Sequence, residues 1–212
     1  MHRVSFILLV LLVGVAASSV ASGQSFTKIV LTDDTGWSEG GNWIDYDGDG
    51  DLDLFIPNNR RSPNRNFLYE NNGDGTFTKV ETGVLVTDIV MSESGTWGDY
   101  DNDGDIDLFV ADGGFDQPRF NSLYRNNADG SFTEVTNTIV AQELSFSTSS
   151  SWADIDNDGD LDLFAATLSP ANNPNINGVD FLYENNGDGT FSKITTGPLV
   201  TTPTRSFGVA WA

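Results

Sequence analysis

Apolar and polar positions alternate over short stretches along most of the chain. In LDLFIP, Leu52, Leu54 and Ile56 alternate with Asp53 and Phe55, which predicts a strand. Ser38 to Ile44 reads as the strand before it, FLYEN from Phe67 as the next, and TFTKV around Phe77 as a fourth. Between the last two lies Asn72-Gly73-Asp74-Gly75. Asn-Gly and Asp-Gly suit a tight hairpin, because glycine takes positive φ without a Cβ clash. No window sustains a helical period. The N-terminus is different: Met1-His2-Arg3 precedes an apolar run from Phe6 to Val15, followed by small, nearly uncharged residues through Gly23. That order predicts a secretory signal peptide over 1–21, cleaved after Ala21 or Gly23. The run is too short for about 30 Å of hydrocarbon, and no later segment is apolar enough to span a membrane. The expected location is secreted or extracytoplasmic, in a periplasm or at a cell surface.

The four-strand pattern recurs. WIDYDGDGDLDLFIP from Trp43 aligns with WGDYDNDGDIDLFVA from Trp97 and WADIDNDGDLDLFAA from Trp152, spaced by 54 and 55 residues. FLYENNGDGTFTKV from Phe67, SLYRNNADGSFTEV from Ser122 and FLYENNGDGTFSKI from Phe181 follow in register. Antiparallel units of this length predict an all-β fold of four-stranded propeller blades. The repeats are read over 38–82, 92–136 and 147–195. SFTKIV at 25–30 matches the outer strand of an incomplete blade, and 206–212, with Trp211, the start of a fourth repeat. About three and a half blades result, so a partial propeller completed by the remaining blades of a longer chain is expected. Closure by dimerisation is the alternative. The tryptophans in register read as blade-packing residues, whereas Trp37 breaks the pattern.

Composition now bears on chemistry. The chain has 31 Asp+Glu against 10 Lys+Arg, a net charge of −21, no Cys and one His, His2. The charge argues against nucleic acid as a partner, since phosphate binding needs a basic surface. The absence of Cys excludes disulfides and thiolate zinc sites. Much of the acid sits in three ladders: Asp45, Asp47, Asp49, Asp51 and Asp53; Asp99, Asp101, Asp103, Asp105 and Asp107; and Asp154, Asp156, Asp158, Asp160 and Asp162. Crowded carboxylates repel unless a cation holds them. Calcium, which takes six to eight oxygens in a flexible shell, fits better than magnesium. About three calcium sites are expected. The ladder is not an EF-hand, because position 12 is Ile56, Val110 or Ala165 rather than Glu. Instead Asp53, Asp107 or Asp162 closes the loop at position 9, and Gly50, Gly104 or Gly159 permits the turn at position 6. Asp74, Asp129 and Asp188 lie in the NGDG-type turns, where a turn role is favoured over a further ion.

The ladders resemble the D-x-D-x-D-G-x-x-D sites of FG-GAP repeats in integrin α-subunit propellers. The closer similarity is to FG-GAP-like, VCBS-type repeats of secreted proteins, with their DxDGDxDL strand followed by LYxNNGDGTF. It extends from about Ser25 to Ala212. The resemblance implies calcium ligation by the side chains at positions 1, 3, 5 and 9 and by the backbone at position 7. Position 7 is seldom acidic in integrins, so Asp51, Asp105 and Asp160 are either ligands or added charge around the site. The resemblance implies no particular activity.

Without Cys, and with its single His in the leader, the chain lacks the usual catalytic triads, and it is expected not to be an enzyme. The expected function is a secreted calcium-binding module in extracellular binding or adhesion, with calcium stabilising the loops. Its partner is an extracellular protein or glycan. The alternative is the non-catalytic propeller of a larger secreted polysaccharide-active enzyme. The variable segments at 57–66, 112–121 and 169–180 fall opposite the aspartate loops. The first carries Arg60, Arg61 and Arg65 as a local basic cluster.

Overall fold

The computed structural model describes residues 8–9, 28–29, 36–38, 40–59, 65–113, 118–168, 178–203 and 205–211. The cleavage region of the expected signal peptide lies outside them, as do Arg60, Arg61 and Ala212. The chain divides into a short unit, residues 1–37, and a main unit, 38–212. In the short unit β1 (Leu8–Leu9) pairs antiparallel with β2 (Lys28–Ile29), the described part of the strand expected over 25–30.

The main unit contains three four-stranded antiparallel sheets. The first is β3 (Asn42–Ile44), β4 (Asp53–Ile56), β5 (Phe67–Asn71) and β6 (Phe77–Lys79), in that order. A helical turn, α1 (Val84–Thr87), leads to β7 (Ser92–Gly98) and β8 (Asp107–Asp112) of the second sheet. The two-residue β9 (Arg119–Phe120) precedes β10 (Ser122–Asn126) and β11 (Phe132–Glu134), which complete that sheet. The connection to the third sheet includes β12 (Leu144–Ser145), paired with β9. The third sheet is β13 (Ser147–Ala153), β14 (Asp162–Thr167), β15 (Phe181–Asn185) and β16 (Phe191–Ile194). A turn of helix, α2 (Pro198–Thr201), follows. This is the expected all-β array of propeller-type blades. Among the described residues no helix is long and apolar enough to cross a membrane.

Two details differ from the pattern reading. The first strand of blade 1 is only Asn42–Ile44, with an isolated bridge from Ser38 to Asn58 standing for its expected start. The second strands do not alternate between core and solvent. Asp53, Leu54, Phe55 and Ile56 are all buried, while Leu52 just before them is exposed. In β8 of the middle blade, Leu108 and Val110 pack with blade 1 and Phe109 and Ala111 with blade 3, so both side-chain sets are buried and binary alternation disappears.

One aromatic contact repeats at each step of the array. Trp97 meets Phe55 of the preceding blade edge-on at 5.6 Å, Trp152 meets Phe109 at 6.2 Å, and Trp211 meets Phe164 at 6.1 Å. Edge-to-face geometry sets the positive ring edge against the negative ring face. These three tryptophans pack blades, as expected. Trp43 instead contacts Phe77 of its own blade at 6.0 Å and remains 41% exposed. Gly98 shows how tight the stacking is: a Cβ there would lie 2.8 Å from Cδ1 of Trp152.

Candidate metal centre

Each aspartate ladder joins the first two strands of a blade, so the three loops lie at one end of the array with the NGDG-type turns. Every loop folds around its first carboxylate. Asp45 accepts the N–H groups of Gly48 and Gly50 at 2.9 and 3.0 Å. Asp99 accepts those of Asp103 and Gly104 at 3.1 and 3.0 Å, and Asp154 those of Asn157 and Gly159 at 2.6 and 3.1 Å. The ninth residue anchors the loop to the sheet. Asp107 accepts the N–H of Tyr100 at 3.2 Å and of Asn126 at 2.8 Å. Asp53 does the same with Tyr46 and Asn71, and Asp162 with Ile155 and Asn185.

These contacts gather positions 1, 3 and 9. Asp45, Asp47 and Asp53 bring carboxylate oxygens within 4.8 Å of one another, as do Asp99, Asp101 and Asp107, and Asp154, Asp156 and Asp162. Position 5 stands outside the triads: Asp49, Asp103 and Asp158 accept the N–H of Asp51, Asp105 and Asp160 at 2.8, 3.0 and 2.9 Å. Position 7 is half-buried in all three loops. Asp160 accepts from Nδ2 of Asn102, in the preceding loop, at 2.6 Å. Asp51 and Asp160 also crowd the turn glycines Gly73 and Gly187, where a Cβ would lie 2.6 Å from their Oδ2. Asp74, Asp129 and Asp188 serve their own turns, each binding the N–H and hydroxyl of Thr76, Ser131 or Thr190. Those hydroxyls hold the three carboxyls below the usual range.

Electrostatics explains what the triads require. Two carboxylates 4.8 Å apart repel by about 3 kcal/mol at an effective dielectric of ~20. Three such pairs approach the whole stability of a domain, about 5–15 kcal/mol. A proton on the buried carboxylate or a bound cation relieves this repulsion. Burial pushes the Asp53 carboxyl up to about 6 and that of Asp107 up to about 7, against backbone hydrogen bonds that pull the other way. Burial raises Asp162 and Asp101 as well. A donor set made only of hard oxygens fits a hard divalent cation, and calcium tolerates such an irregular cage better than magnesium.

Asparagines complete the arrangement, and the sequence reading passed over them. Asn126 donates from Nδ2 to Ile106 O at 3.2 Å in its own blade and to Tyr46 O at 2.9 Å in the preceding one. Asn185 repeats this with Leu161 O at 3.2 Å and Tyr100 O at 2.7 Å. Each therefore ties an aspartate loop to the next blade while its backbone N–H holds the ninth aspartate. Their signal was the first Asn of every LYxNN segment.

A profile of the FG-GAP-like repeat matches residues 45–110 and 99–165, two overlapping spans that each run from one ladder into the next. The chain belongs to the FG-GAP-like repeat family. The three FG-GAP-like loops are thus the same element repeated, which accounts for their shared geometry. No curated protein matches the chain. Among solved structures, it is similar to an Agrocybe aegerita lectin described by its specific recognition of non-reducing terminal N-acetylglucosamine. The identity is 16% and the TM-score 0.49, over 90% of this chain and 47% of that one. This FG-GAP-like chain therefore spans about half the length of that lectin.

Proposed function

We propose that this is a secreted, calcium-stabilised propeller module that acts in extracellular binding or adhesion and carries no catalysis of its own. The observation that carries this reading is the threefold Asp triad, with its buried ninth carboxylate, at equivalent places in successive blades. Calcium there supplies positive charge that neutralises the loops; the chain's own carboxylates and asparagine clasps position the strands. The signal-like N-terminus supports export, where millimolar calcium suits sites with dissociation constants of about 10⁻⁴–10⁻³ M. The partner is an extracellular protein or glycan, met by the variable connections at the other end of the blades.

Thermal unfolding with calcium, with magnesium and with chelator tests the metal reading. The expected result is a midpoint raised by calcium and not matched by magnesium at equal concentration. A cooperative transition that calcium leaves unmoved would refute it.

A further inference from the structure

Blade 2 carries a cleft of about 450 Å³ at the end away from the aspartate loops. Comparison with its sister blades shows why it exists. The third strands present Phe67, Ser122 and Phe181 at one equivalent position. The fourth strands present Lys79, Glu134 and Lys193 opposite Tyr69, Tyr124 and Tyr183. In blades 1 and 3 the lysine ammonium lies over the phenylalanine ring, at 4.8 Å for Lys79 and 4.0 Å for Lys193. In blade 2 Ser122 replaces the ring and Glu134 the ammonium, and both line the cleft.

A third difference has the same sign. Where blades 1 and 3 have Asn58 and Thr167, blade 2 has Asp112, which also lines the cleft. Asp112 is 1% exposed and accepts the hydroxyls of Ser92 at 3.1 Å and Ser122 at 2.9 Å. The neutral Asn58 accepts Ser38 Oγ at 2.6 Å, so the local hydroxyl network does not require a charge. A buried carboxylate is costly without a partner, and Asp112 makes no ion pair among the described residues. Arg119, itself exposed, is the one cation among the described lining residues. Relative to blades 1 and 3 the cleft therefore lacks the phenylalanine ring and the lysine ammonium over it and has gained two carboxylates, with Arg119 the one cation acting on Asp112.

An independent feature points to the rest of the guest. Asn121 lines the cleft, is 2% exposed, and gives its Oδ1 to the Asp112 N–H at 3.1 Å, yet its Nδ2 has no hydrogen-bond partner. A buried amide donor left unpaired calls for an acceptor. Ile89, Phe120 and Leu144 add exposed apolar surface.

We propose that this cleft binds the lysine or arginine side chain of a partner polypeptide. The stem fills the space of the missing ring, the cationic head meets Asp112 and Glu134, and a main-chain carbonyl of the partner accepts from Asn121. This deepens the extracellular-binding reading above and rests on it only for the existence of a polypeptide partner.

The test is a methyl-detected NMR titration of the full chain with capped lysine, capped arginine, capped norleucine and N-acetylglucosamine. Capped lysine or arginine is expected to shift the Ile89 and Leu144 methyls saturably, with a millimolar dissociation constant, and norleucine to bind at least about tenfold more weakly. Asp112→Asn, which copies Asn58, should weaken binding about tenfold. Ser122→Phe with Glu134→Lys rebuilds the pair of blades 1 and 3 and should abolish binding; Glu134→Lys alone serves if the double variant does not fold. Absence of shifts with both cationic probes, equal binding of norleucine, a response to N-acetylglucosamine alone, or binding retained in the folded variants would each overturn the proposal. Calcium-dependent melting is read on the same samples. Its loss with cleft shifts intact would defeat the metal reading alone, and the reverse would defeat the cleft alone.

Discussion

Replacing Asp107 by Asn separates the metal role of the ninth carboxylate from its structural role. Asp107 is fully buried, accepts two backbone N–H groups, and shares a triad with Asp99 and Asp101. The amide has one acceptor oxygen, so one of those N–H groups loses its partner, at a cost of about 1–3 kcal/mol. Without calcium this cost is partly offset, because the repulsion from Asp101 and Asp103 vanishes with the charge. With calcium the variant also forfeits linkage at that site, about 2.7 kcal/mol at a hundredfold excess over the dissociation constant. At roughly 2–4 °C per kcal/mol for a chain of this size, the calcium-induced rise in midpoint should shrink by about 5–10 °C. The pH dependence gives a second reading. Burial lifts Asp107 from 3.8 to about 7, so between those values the folded state holds a proton that the unfolded chain has released. In chelator, stability should therefore fall as pH rises through that window, and the fall should be shallower in Asp107→Asn. Calcium keeps the carboxylate ionised in the folded state and should cancel the decline. Scanning calorimetry across pH, with calcium and with chelator, measures both effects. Asp129→Asn, confined to its turn, is the control and should retain the full calcium increment. An equal calcium increment in wild type and Asp107→Asn would refute the reasoning.

Three further outcomes are expected. Asn185→Ala unpairs Tyr100 O and Leu161 O between blades 2 and 3 and should cost about 1–3 kcal/mol by urea unfolding. Trp152→Ala removes rings packed on Tyr100, Phe109 and Phe191; its cost should be about 3 kcal/mol and clearly exceed that of Trp43→Ala, whose ring is half-exposed. Ala128 has φ of 62° where the sister turns place Gly73 and Gly187, so Ala128→Gly should stabilise by up to about 1 kcal/mol; a lowered midpoint would contradict that.

Much of this protein could be read along the chain, because a repeat states each local rule three times. Strand order, the hairpin turns and the tryptophan register all depend on neighbours within a unit, and they appear where the pattern puts them. The aspartate ladders announced the acidic triads for the same reason: positions 1 to 9 are close in sequence as well as in space. Tertiary structure decided what depends on stacking. Both side-chain sets of β8 are buried because blade 1 covers one face and blade 3 the other, which one strand's alternation cannot express. The gathering of positions 1, 3 and 9 depends on backbone N–H groups of the third strand, distant in sequence, that hold Asp53, Asp107 and Asp162 against the sheet. Along the chain Asn126 and Asn185 are only the last residues of a strand; the neighbouring blade supplies the carbonyls they bind. In the second blade, Ser122 and Glu134 look like ordinary repeat variation; only cross-strand register sets them beside Asp112, where the absent ring and ammonium leave space and two carboxylates faced by Arg119 alone among the described lining residues.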